Sequence, residues 1–314
     1  MKYLVTGGAG FIGSHLVELL IESDHEVVCV DDLSTGYKSN LSSVIQKIDF
    51  FEEKIELFNL NKLKDIDVIV HLAAQLSVPI SISNFPNSTS SNLLGALKVI
   101  NHCRLHNIPL VYASSSAIYG NLKFGNDEIE NVDLLSPYAT DKYVMELYSR
   151  MAYKTYQLPS VGLRFFNVYG PRQDPTNPYS GVISIFADRL MKSQNITING
   201  GYQTRDFIYV KDVVNVIFRA ISIASKNSIC ETSNVLTGES VTIDKLAELM
   251  MKIIDVNVEI NYQSLPLGDP KQSNGSTKKM VKLFTVELNK FTKLNNGLMD
   301  TVQCILNDIK LKSQ

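Results

Sequence analysis

Tyr138 and Lys142 are the pair of residues whose types and spacing point most directly to proton chemistry. They lie four positions apart in the stretch YATDK, and this spacing puts both side chains on one face of a helix. Pro137 before them suits the first turn of a helix. Because an ammonium stabilises a neighbouring phenolate, we expect the pKa of Tyr138 to fall from about 10 and Tyr138 to act as a general base. An isolated pair with this spacing is more often an ordinary surface pair, so a second signal is needed.

Three consecutive hydroxyls, at Ser114, Ser115 and Ser116, give that second signal. The apolar residues 110–113 before them are typical of a short buried strand. Ligands of an open parallel sheet bind at the carboxyl ends of its strands, and buried hydroxyls need polar partners. We therefore expect these serines to meet a polar ligand or each other. The alternative is that one of them caps a helix.

A glycine turn near the start of the chain points to a dinucleotide. Gly7, Gly10 and Gly13 follow one apolar stretch and open a helical one, and residues without Cβ let the backbone approach a pyrophosphate at a helix N-terminus. Asp31 ends the next apolar stretch, 18 residues after Gly13. An acid there binds ribose hydroxyls and repels the extra phosphate of NADP, and Asp32 adds a second acid. The sequence therefore predicts NAD as the coenzyme.

Short apolar runs alternate with helical patterns over the first half of the chain. We predict strands at 2–6, 26–30, 68–72, 110–114 and 160–165, with helices at 13–21, 92–105 and 137–156. This alternation predicts an α/β fold with a Rossmann-type doubly wound parallel sheet.

The pattern changes after residue 169. Pro171, Pro175, Asn177, Pro178 and Gly181 predict a loop that acts as a hinge to a smaller C-terminal α/β substrate lobe. Beyond the loop we predict helices at 210–222 and 241–253 and strands at 231–236 and 257–262. The predicted coenzyme domain is 1–169 with about 206–236, and the predicted substrate lobe is 170–205 with 237–314.

Composition excludes several classes of protein. The chain has 314 residues, 45% hydrophobic and 20% charged, with a net charge of −2, so it lacks the basic footprint of a nucleic-acid or membrane-surface protein. There is neither an apolar run of about 18 residues nor a signal-peptide pattern, and we expect a cytoplasmic protein. The four cysteines form no CxxC pair, so we expect reduced thiols and no metal site.

Nearly the whole chain resembles the extended short-chain dehydrogenase/reductase family, and within it the nucleotide-sugar epimerases. The resemblance rests on several motifs in the family's order: TGGAGFIGSH, HLAAQLSV, YASSSAIYG, SPYATDK, RFFNVYGPRQ, INGGYQTRDFIYVKD and LGDPKQS. It implies a catalytic Ser115, Tyr138 and Lys142. Tyr138 takes the proton of the sugar 4-hydroxyl, Ser115 hydrogen-bonds that oxygen, and Lys142 holds the nicotinamide ribose.

The same resemblance favours epimerisation over loss of water. Related dehydratases carry Thr-Asp-Glu where this chain has Ser115, Ser116 and Ala117, which supply neither the acid nor the base that dehydration needs. The implied reaction is inversion of C4 of a UDP-hexose through a 4-keto intermediate, on UDP-N-acetylglucosamine and its galacto epimer, on UDP-glucose and UDP-galactose, or on both.

The resemblance also assigns residues to each ligand. For the NAD cofactor they are Gly7, Gly10, Phe11, Ile12, Gly13, Asp31, Asp32, Ala73, Asn92, Tyr138, Lys142 and Phe165. For the nucleotide-sugar substrate they are Ser77, Ser115, Ser116, Tyr138, Asn167, Asn199, Arg205, Asp269 and Ser273. Asn167 and Arg205 are expected at the diphosphate, where an arginine can bind two oxygens at once. The alternative for Arg205 is an ion pair with Asp206.

Some positions depart from the family pattern. Pro266 and Leu267 precede Gly268, where the family usually has an arginine that contacts phosphate and ribose. The contacts that bind the nucleotide must therefore differ from those of the family. Lys54 replaces an acid that contacts the adenine amine in many members. Asn199 matches a subgroup that handles N-acetylated sugars, and Ser273 lies where a tyrosine closes the pocket against an N-acetyl group. We therefore expect an N-acetylated UDP-hexose to be accepted.

Two other functions remain open. The first alternative is a 4-keto-sugar reductase or a UDP-uronate epimerase or decarboxylase, and the second is a catalytically dead NAD sensor.

Family members usually dimerise through two helices per subunit, here 92–105 and 137–156, so we expect a homodimer.

Overall fold

The computed structural model describes residues 1–175, 181–265 and 269–312, with side chains through residue 307. These residues divide into two compact units. Unit 1 comprises 1–118, 134–165 and 214–233, and unit 2 comprises 119–133, 166–213 and 234–314. The predicted boundaries differ most at 119–133, which the sequence analysis assigned to the coenzyme domain. Asn177 and Pro178 of the predicted hinge, and Pro266, Leu267 and Gly268 of the nucleotide motif, lie outside the described residues.

The described residues form twelve strands. They are β1 (Lys2–Thr6), β2 (Glu26–Asp31), β3 (Asp49–Glu52), β4 (Val68–His71), β5 (Leu110–Ser115), β6 (Ser160–Phe165), β7 (Asn167–Tyr169), β8 (Ile196–Asn199), β9 (Thr204–Tyr209), β10 (Cys230–Val235), β11 (Ser240–Thr242) and β12 (Ile260–Gln263).

Ten α-helices connect them in the same part of the chain. They are α1 (Phe11–Glu22), α2 (Val78–Ser83), α3 (Phe85–Thr89), α4 (Gly95–His106), α5 (Pro137–Tyr156), α6 (Val182–Met191), α7 (Val210–Lys226), α8 (Ile243–Ile254), α9 (Lys278–Phe284) and α10 (Leu294–Lys312). None of the helices in this part of the chain is both long and apolar enough to cross a membrane.

Unit 1 is built on a seven-stranded sheet in the order β10-β6-β5-β4-β1-β2-β3. The pairs from β3 to β6 are parallel, with Val5 opposite Cys29 and Val70, for example. The inner strands are continuous runs of buried residues, because helices cover both faces of such a sheet. The predicted Rossmann-type doubly wound fold is confirmed.

Two helices of unit 1 differ in how well local signals define them. The predicted helix 137–156 matches α5, where the Ser136 hydroxyl accepts the N–H of Ala139 at 3.2 Å and Gln157 ends the helix in a left-handed conformation. The predicted helix 92–105 is instead a π-helical segment, Ser90–Leu94, followed by α4. A π-helical turn inserts one residue into the helical repeat, which the apolar periodicity does not reveal.

Unit 2 contains two small sheets. One has the order β11-β9-β7, with β9 antiparallel to β11 and parallel to β7, and the other pairs β8 with β12 in parallel. Helix α8 begins two residues later than predicted, because 240–242 form β11 and Thr242 caps the helix by accepting the N–H of Lys245 at 3.2 Å.

Candidate active site

The glycine turn of unit 1 joins β1 to α1 without space for side chains. A Cβ on Gly13 would lie 2.1 Å from the carbonyl oxygen of Gly7, and a Cβ on Gly7 would lie 2.7 Å from the backbone nitrogen of Ala73. Gly7 also has a φ of 71°, which favours glycine. Gly10 precedes α1 and has no side chain to cap it, and Phe11 and Ile12 form the first turn, half-buried. The turn therefore presents backbone N–H groups at a helix N-terminus, which suits a pyrophosphate.

Asp31, the last residue of β2, stabilises this turn through hydrogen bonds to backbone N–H groups. Its carboxylate accepts the N–H of Ala9 at 2.9 Å and that of Leu33 at 2.8 Å. Burial raises the pKa of Asp31, and these two hydrogen bonds oppose the rise. Asp32 is exposed and accepts both the N–H and the hydroxyl of Ser34, at 3.0 and 2.6 Å. The two predicted cofactor acids thus occupy different environments, and Asp31 is the buried one.

Ser115, Tyr138 and Lys142 lie together, as the sequence predicted. Ser115 ends β5 and hydrogen-bonds the buried Tyr138 on α5. The ammonium of Lys142 lies 5.8 Å from the centre of the Tyr138 ring and donates to the carbonyl of Ala113 at 2.8 Å. All three side chains are at least nine-tenths buried. The geometry supplies a phenol, a hydroxyl and an ammonium in one desolvated place, which is what acid–base chemistry on a sugar hydroxyl requires.

The predicted fall in the pKa of Tyr138 is wrong. Burial raises the pKa of Tyr138, and the hydrogen bond with Ser115 opposes this rise only in part. Burial also lowers the pKa of Lys142 to about 8, while the charge of Asp141 opposes that fall. The spacing of the two residues reveals the neighbouring ammonium, but it does not reveal the desolvation of Tyr138 and Lys142 in the folded protein.

Two further buried titratable groups, which the sequence did not reveal, lie near this cluster. His71 hydrogen-bonds the Thr6 hydroxyl through Nδ1 at 2.7 Å, and burial with the Lys142 charge lowers its pKa to about 3. It is therefore neutral. Glu146 lies one helical turn beyond Lys142 and accepts from Ser114 at 2.5 Å, so this serine is structural. The four-residue spacing of Tyr138, Lys142 and Glu146 is the signal that could have found Glu146.

The remaining predicted residues of unit 1 have local partners. Asn92, in the π-helical segment, accepts the N–H of Gln75 at 2.7 Å and donates to its carbonyl at 3.1 Å, so it holds the loop after β4. Ala73, in that loop, donates to the Thr6 hydroxyl at 3.3 Å. Ser77 caps α2 by accepting the N–H of Ile80 at 3.1 Å. Ser116 is half-buried at the start of a 3₁₀ turn, and Phe165 is buried opposite Ser115.

Unit 2 has an open cavity of about 470 Å³, a size within the usual range for small-molecule sites. Four of the predicted substrate residues line it, namely Asn167, Asn199, Arg205 and Asp269. Ser273 accepts from the Asn167 amide at 3.2 Å. These residues are separated by up to 106 positions in the sequence, and the fold of unit 2 brings them together.

Arg205 provides the positive charge of this cavity. Its guanidinium is paired with Asp269 at 2.5 Å and donates to the carbonyl of Thr204 at 2.9 Å. The alternative ion pair with Asp206 is not formed, because Asp206 is fully buried and accepts from Thr237 and Gly238 instead. The cavity therefore combines a cation and its carboxylate partner with four amides and with apolar side chains such as Phe207.

The fold and these features define a Rossmann-type nucleotide-binding protein with a buried acid–base group. Comparison with known proteins makes this specific. The model of the NAD dependent epimerase/dehydratase family matches residues 3–235. The chain belongs to this family.

Individual relatives are similar over nearly the whole chain. A putative UDP-glucose 4-epimerase from Methanocaldococcus jannaschii is 38% identical over 270 residues, covering 85% of this chain and 87% of that protein. UDP-N-acetylglucosamine 4-epimerase from Methanobrevibacter ruminantium M1, solved with UDP-N-acetylmuramic acid, gives a TM-score of 0.92 at 34% identity and 98% coverage of both chains. UDP-glucuronic acid 4-epimerase from Bacillus cereus, solved with UDP-glucuronic acid and NAD, gives 0.89 at 30% identity, covering 98% of this chain and 99% of that one.

The protein is an NAD-dependent isomerase. The glycine turn fits the coenzyme, because the N-terminus of α1 has no side-chain cap and its backbone N–H groups suit a pyrophosphate.

Proposed function

We propose that the protein inverts C4 of a UDP-hexose through a 4-keto intermediate, with Tyr138 as the base. The observation that carries the proposal is that the Ser115 hydroxyl, the Tyr138 phenol and the Lys142 ammonium are buried together, with the ammonium 5.8 Å from the centre of the Tyr138 ring. The UDP-sugar 4-epimerases among the similar proteins support it.

The residues of unit 1 divide the chemistry among them. Bound at the glycine turn, NAD supplies reversible oxidation of the sugar carbinol. Tyr138 accepts the proton of the 4-hydroxyl and later returns it, and the Ser115 hydroxyl hydrogen-bonds the same oxygen. Tyr138 accepts this proton as the phenolate and becomes the neutral phenol, and the Lys142 ammonium stabilises the phenolate through an interaction strengthened by the low dielectric of the buried cluster. Asp31 accepts ribose hydroxyls.

The residues of unit 2 hold the nucleotide. Arg205 and Asn167 bind the diphosphate, since the guanidinium keeps N–H groups beyond those used by Asp269 and Thr204. Asn199 lies at the end of β8, where the nucleoside packs. Ser273 leaves space for an N-acetyl group, so we propose UDP-N-acetylglucosamine and its galacto epimer as substrates, with the plain hexoses accepted as well.

The deciding experiment supplies UDP-N-acetylglucosamine, UDP-glucose and UDP-glucuronate separately, without added coenzyme, and follows the anomeric protons by NMR. Formation of the galacto product, with the same final ratio from either direction, supports the epimerase. Turnover of UDP-glucuronate alone would favour the uronate epimerase that the Bacillus cereus relative suggests. A need for stoichiometric coenzyme would identify a reductase, and no turnover of any sugar would refute the proposal.

The role of Tyr138 has a matched control on the same helix. We expect Tyr138→Phe to lose at least about 100-fold in kcat, in line with the usual effect of a general base, while Tyr143→Phe stays near wild type. Bound NAD, measured in each purified variant, separates loss of chemistry from loss of coenzyme. If Tyr138→Phe kept full biological function without turnover, the protein would be an NAD sensor.

Ser273→Tyr tests the choice of sugar. The phenol fills the space proposed for the N-acetyl group, so turnover of UDP-N-acetylglucosamine should fall at least tenfold while UDP-glucose turnover is less affected. Wild-type enzyme that converts UDP-glucose but leaves the N-acetyl sugar untouched would contradict the proposed gate.

We also propose a cytoplasmic homodimer formed through α4 and α5. Leu94, before α4, and Leu147 and Met151, on α5, are 55%, 43% and 41% exposed, and such a row of apolar side chains is typical of an interface. Val99 and Met145, on the same two helices, are buried in the core of unit 1 and do not contribute to this surface. Light scattering that gives the mass of a single chain would rule the dimer out.

A further inference from the structure

Asn234 is a fully buried amide that connects two segments of unit 2. It lies near the end of β10, and its side-chain nitrogen donates to the carbonyl of Gly125 at 3.1 Å and to that of Ser276 at 3.2 Å. Gly125 belongs to segment 119–133, and Ser276 ends segment 269–276. An amide nitrogen has two hydrogens, so one is used on each segment.

Two further contacts fix the amide itself. Its oxygen accepts the Tyr119 hydroxyl at 2.7 Å, and the backbone N–H of Asn234 donates to the Asp127 carboxylate at 2.7 Å. Both partners belong to segment 119–133 and are buried. This segment therefore sets the orientation of the amide, and the second hydrogen of the amide points at Ser276.

Segments 119–133 and 269–276 also contact each other directly. They form a parallel β-bridge between Gly125 and Gly275, where the carbonyl of Gly125 accepts the N–H of Ser276 at 2.9 Å. A Cβ on either glycine of the bridge would lie 2.6 Å from an aromatic ring, so the close approach of the two backbones requires glycine. The buried amide adds its hydrogen bonds to this bridge.

Segment 269–276 forms part of the wall of the substrate cavity. Asp269 lines that cavity, and the Ser273 hydroxyl accepts from the amide of Asn167, which lines it as well. Ser240, an exposed residue of β11, donates its hydroxyl to the carbonyl of Ser273 at 3.1 Å. The wall is therefore held at Ser273 by an exposed hydroxyl and, three residues further on, by the buried amide.

We propose that Asn234, together with Ser240, is a positioning residue that fixes Ser273 at the cavity wall and thereby sets the size of the N-acyl group that the UDP-hexose can carry. The proposal rests on the proposed function, in which Ser273 leaves space for an N-acetyl group. Asn234 acts through segment 269–276 and contacts neither sugar nor coenzyme in this role. Its consequence is that a bulky side chain at position 273 excludes the N-acyl sugar only while these contacts hold the wall in place.

The test places three variants in two backgrounds, the wild type and Ser273→Tyr. Asn234→Leu replaces the buried amide by an apolar side chain of similar size, and Tyr119→Phe removes the hydroxyl that orients the amide. Ser240→Ala removes the contact to the wall from an exposed position. Ser225→Ala is the matched control, because this exposed serine also donates to a backbone carbonyl, at 2.8 Å, but lies on α7. The readout is kcat/KM for UDP-N-acetylglucosamine divided by kcat/KM for UDP-glucose.

In Ser273→Tyr, the phenol blocks the N-acetyl sugar only as long as the wall cannot move. We therefore expect Asn234→Leu and Ser240→Ala each to raise the selectivity ratio of Ser273→Tyr by about threefold or more, toward the lower end of the coupling between neighbouring residues. Tyr119→Phe should raise the ratio as well, and the Ser225→Ala control should leave it unchanged. Tyr119→Phe and Ser240→Ala decide the question if Asn234→Leu does not fold.

Amide hydrogen exchange reports the same contacts without turnover. The N–H groups of Gly125 and Ser276, which are bonded across the bridge, should lose protection in Asn234→Leu and keep it in Ser225→Ala. The amides of β4, in unit 1, should be unchanged in both variants. Unchanged protection at the bridge in Asn234→Leu would overturn the proposal.

The proposal is also overturned if the three variants lower the turnover of both sugars by the same factor and leave the ratio of Ser273→Tyr unchanged, since that would show a purely structural role. It fails as well if Ser273→Tyr discriminates between the sugars no more than the wild type does, because no gate would then exist. Failure of the proposed function is distinguishable, because the wild type would then convert neither sugar, whereas hydrogen exchange would still report whether the amide holds the bridge.

Discussion

The buried ion pair of Glu146 and Arg164 joins α5 to the sheet of unit 1. Arg164 donates to Glu146 through Nε at 2.9 Å and through Nη2 at 2.7 Å, in the two-pronged geometry that arginine favours. The side chains are 0% and 6% exposed, and Ser114 of β5 donates to the same carboxylate. The pair therefore connects β5, β6 and the helix that carries Tyr138 and Lys142.

Glu146→Gln keeps the shape of the side chain but removes the negative charge that Arg164 contacts through two nitrogens. Breaking a buried pair in this way costs about 3–5 kcal/mol of unfolding free energy. Unit 1 has roughly 170 residues, for which each 1 kcal/mol lowers Tm by roughly 2–4 °C. We therefore expect a fall in Tm of roughly 6–20 °C, with kcat retained at a temperature where the variant is folded.

The assay is chemical and thermal unfolding of the wild type, both single variants and the apolar double variant E146L/R164M. Because the double variant removes both charges of this pair from the interior, it should be more stable than either Glu146→Gln or Arg164→Met. A loss below 1 kcal/mol in Glu146→Gln would refute the reasoning, as would a double variant whose loss equals the sum of the single losses.

Three further predictions test the coenzyme turn, the diphosphate site and a buried acid. Gly13→Ala places a Cβ 2.1 Å from the Gly7 carbonyl oxygen, so the turn must shift; we expect a loss of about 1–3 kcal/mol in unfolding free energy and of bound NAD. Gly10→Ala, whose Cβ would lie 3.2 Å from the same oxygen, should keep that stability; equal unfolding of both variants would contradict the prediction. Arg205→Met should raise KM for the UDP-hexose at least tenfold with a smaller effect on kcat, and an unchanged KM would exclude it from the diphosphate site. Burial raises the pKa of Asp206 to about 6, above its unfolded value of about 3.9. Its neutral form therefore stabilises the fold at low pH, and this stability is lost as pH rises from about 4 through 6. Denaturant titrations should show the wild type losing part of its advantage over Asp206→Asn across that range; a constant difference would exclude Asp206 as the titrating group.

Local sequence signals predicted the inner strands of the sheet and β10 at one edge, and missed β3 at the other edge. The inner strands are runs of mostly apolar residues, and the first of them leads into the glycine turn. Each of these signals can be recognised within a few residues of sequence. Strand β3 has the sequence DFFE and is largely exposed, so no buried run identifies it. The small sheets of unit 2 were also missed, because pairing of β7 with β9 and of β8 with β12 depends on distant segments.

In the candidate site, too, some features could be predicted from the sequence and others depend on tertiary packing. The spacing of Tyr138 and Lys142 on one helix could be predicted, and so could Ser115 at the end of a strand. The direction of the Tyr138 pKa could not, because desolvation depends on how the whole sheet packs against α5. The Arg205 partner, Asp269, is 64 residues away, and adjacency in the sequence suggested Asp206 instead.

The position of β10 has a consequence for the chain as it leaves the ribosome. Strand β10 begins 65 residues after β6 ends, yet it pairs with β6 at the margin of the sheet. At synthesis rates of about 5–20 residues per second, β6 waits for roughly 3–13 seconds with one row of N–H and C=O groups unpaired. Its sequence SVGLRF is buried along its whole length in the folded protein, so the exposed strand is a template for wrong pairing during that interval. Yield in cells should therefore depend on chaperones and on the speed of translation through 166–229 more than on the stability of the finished protein.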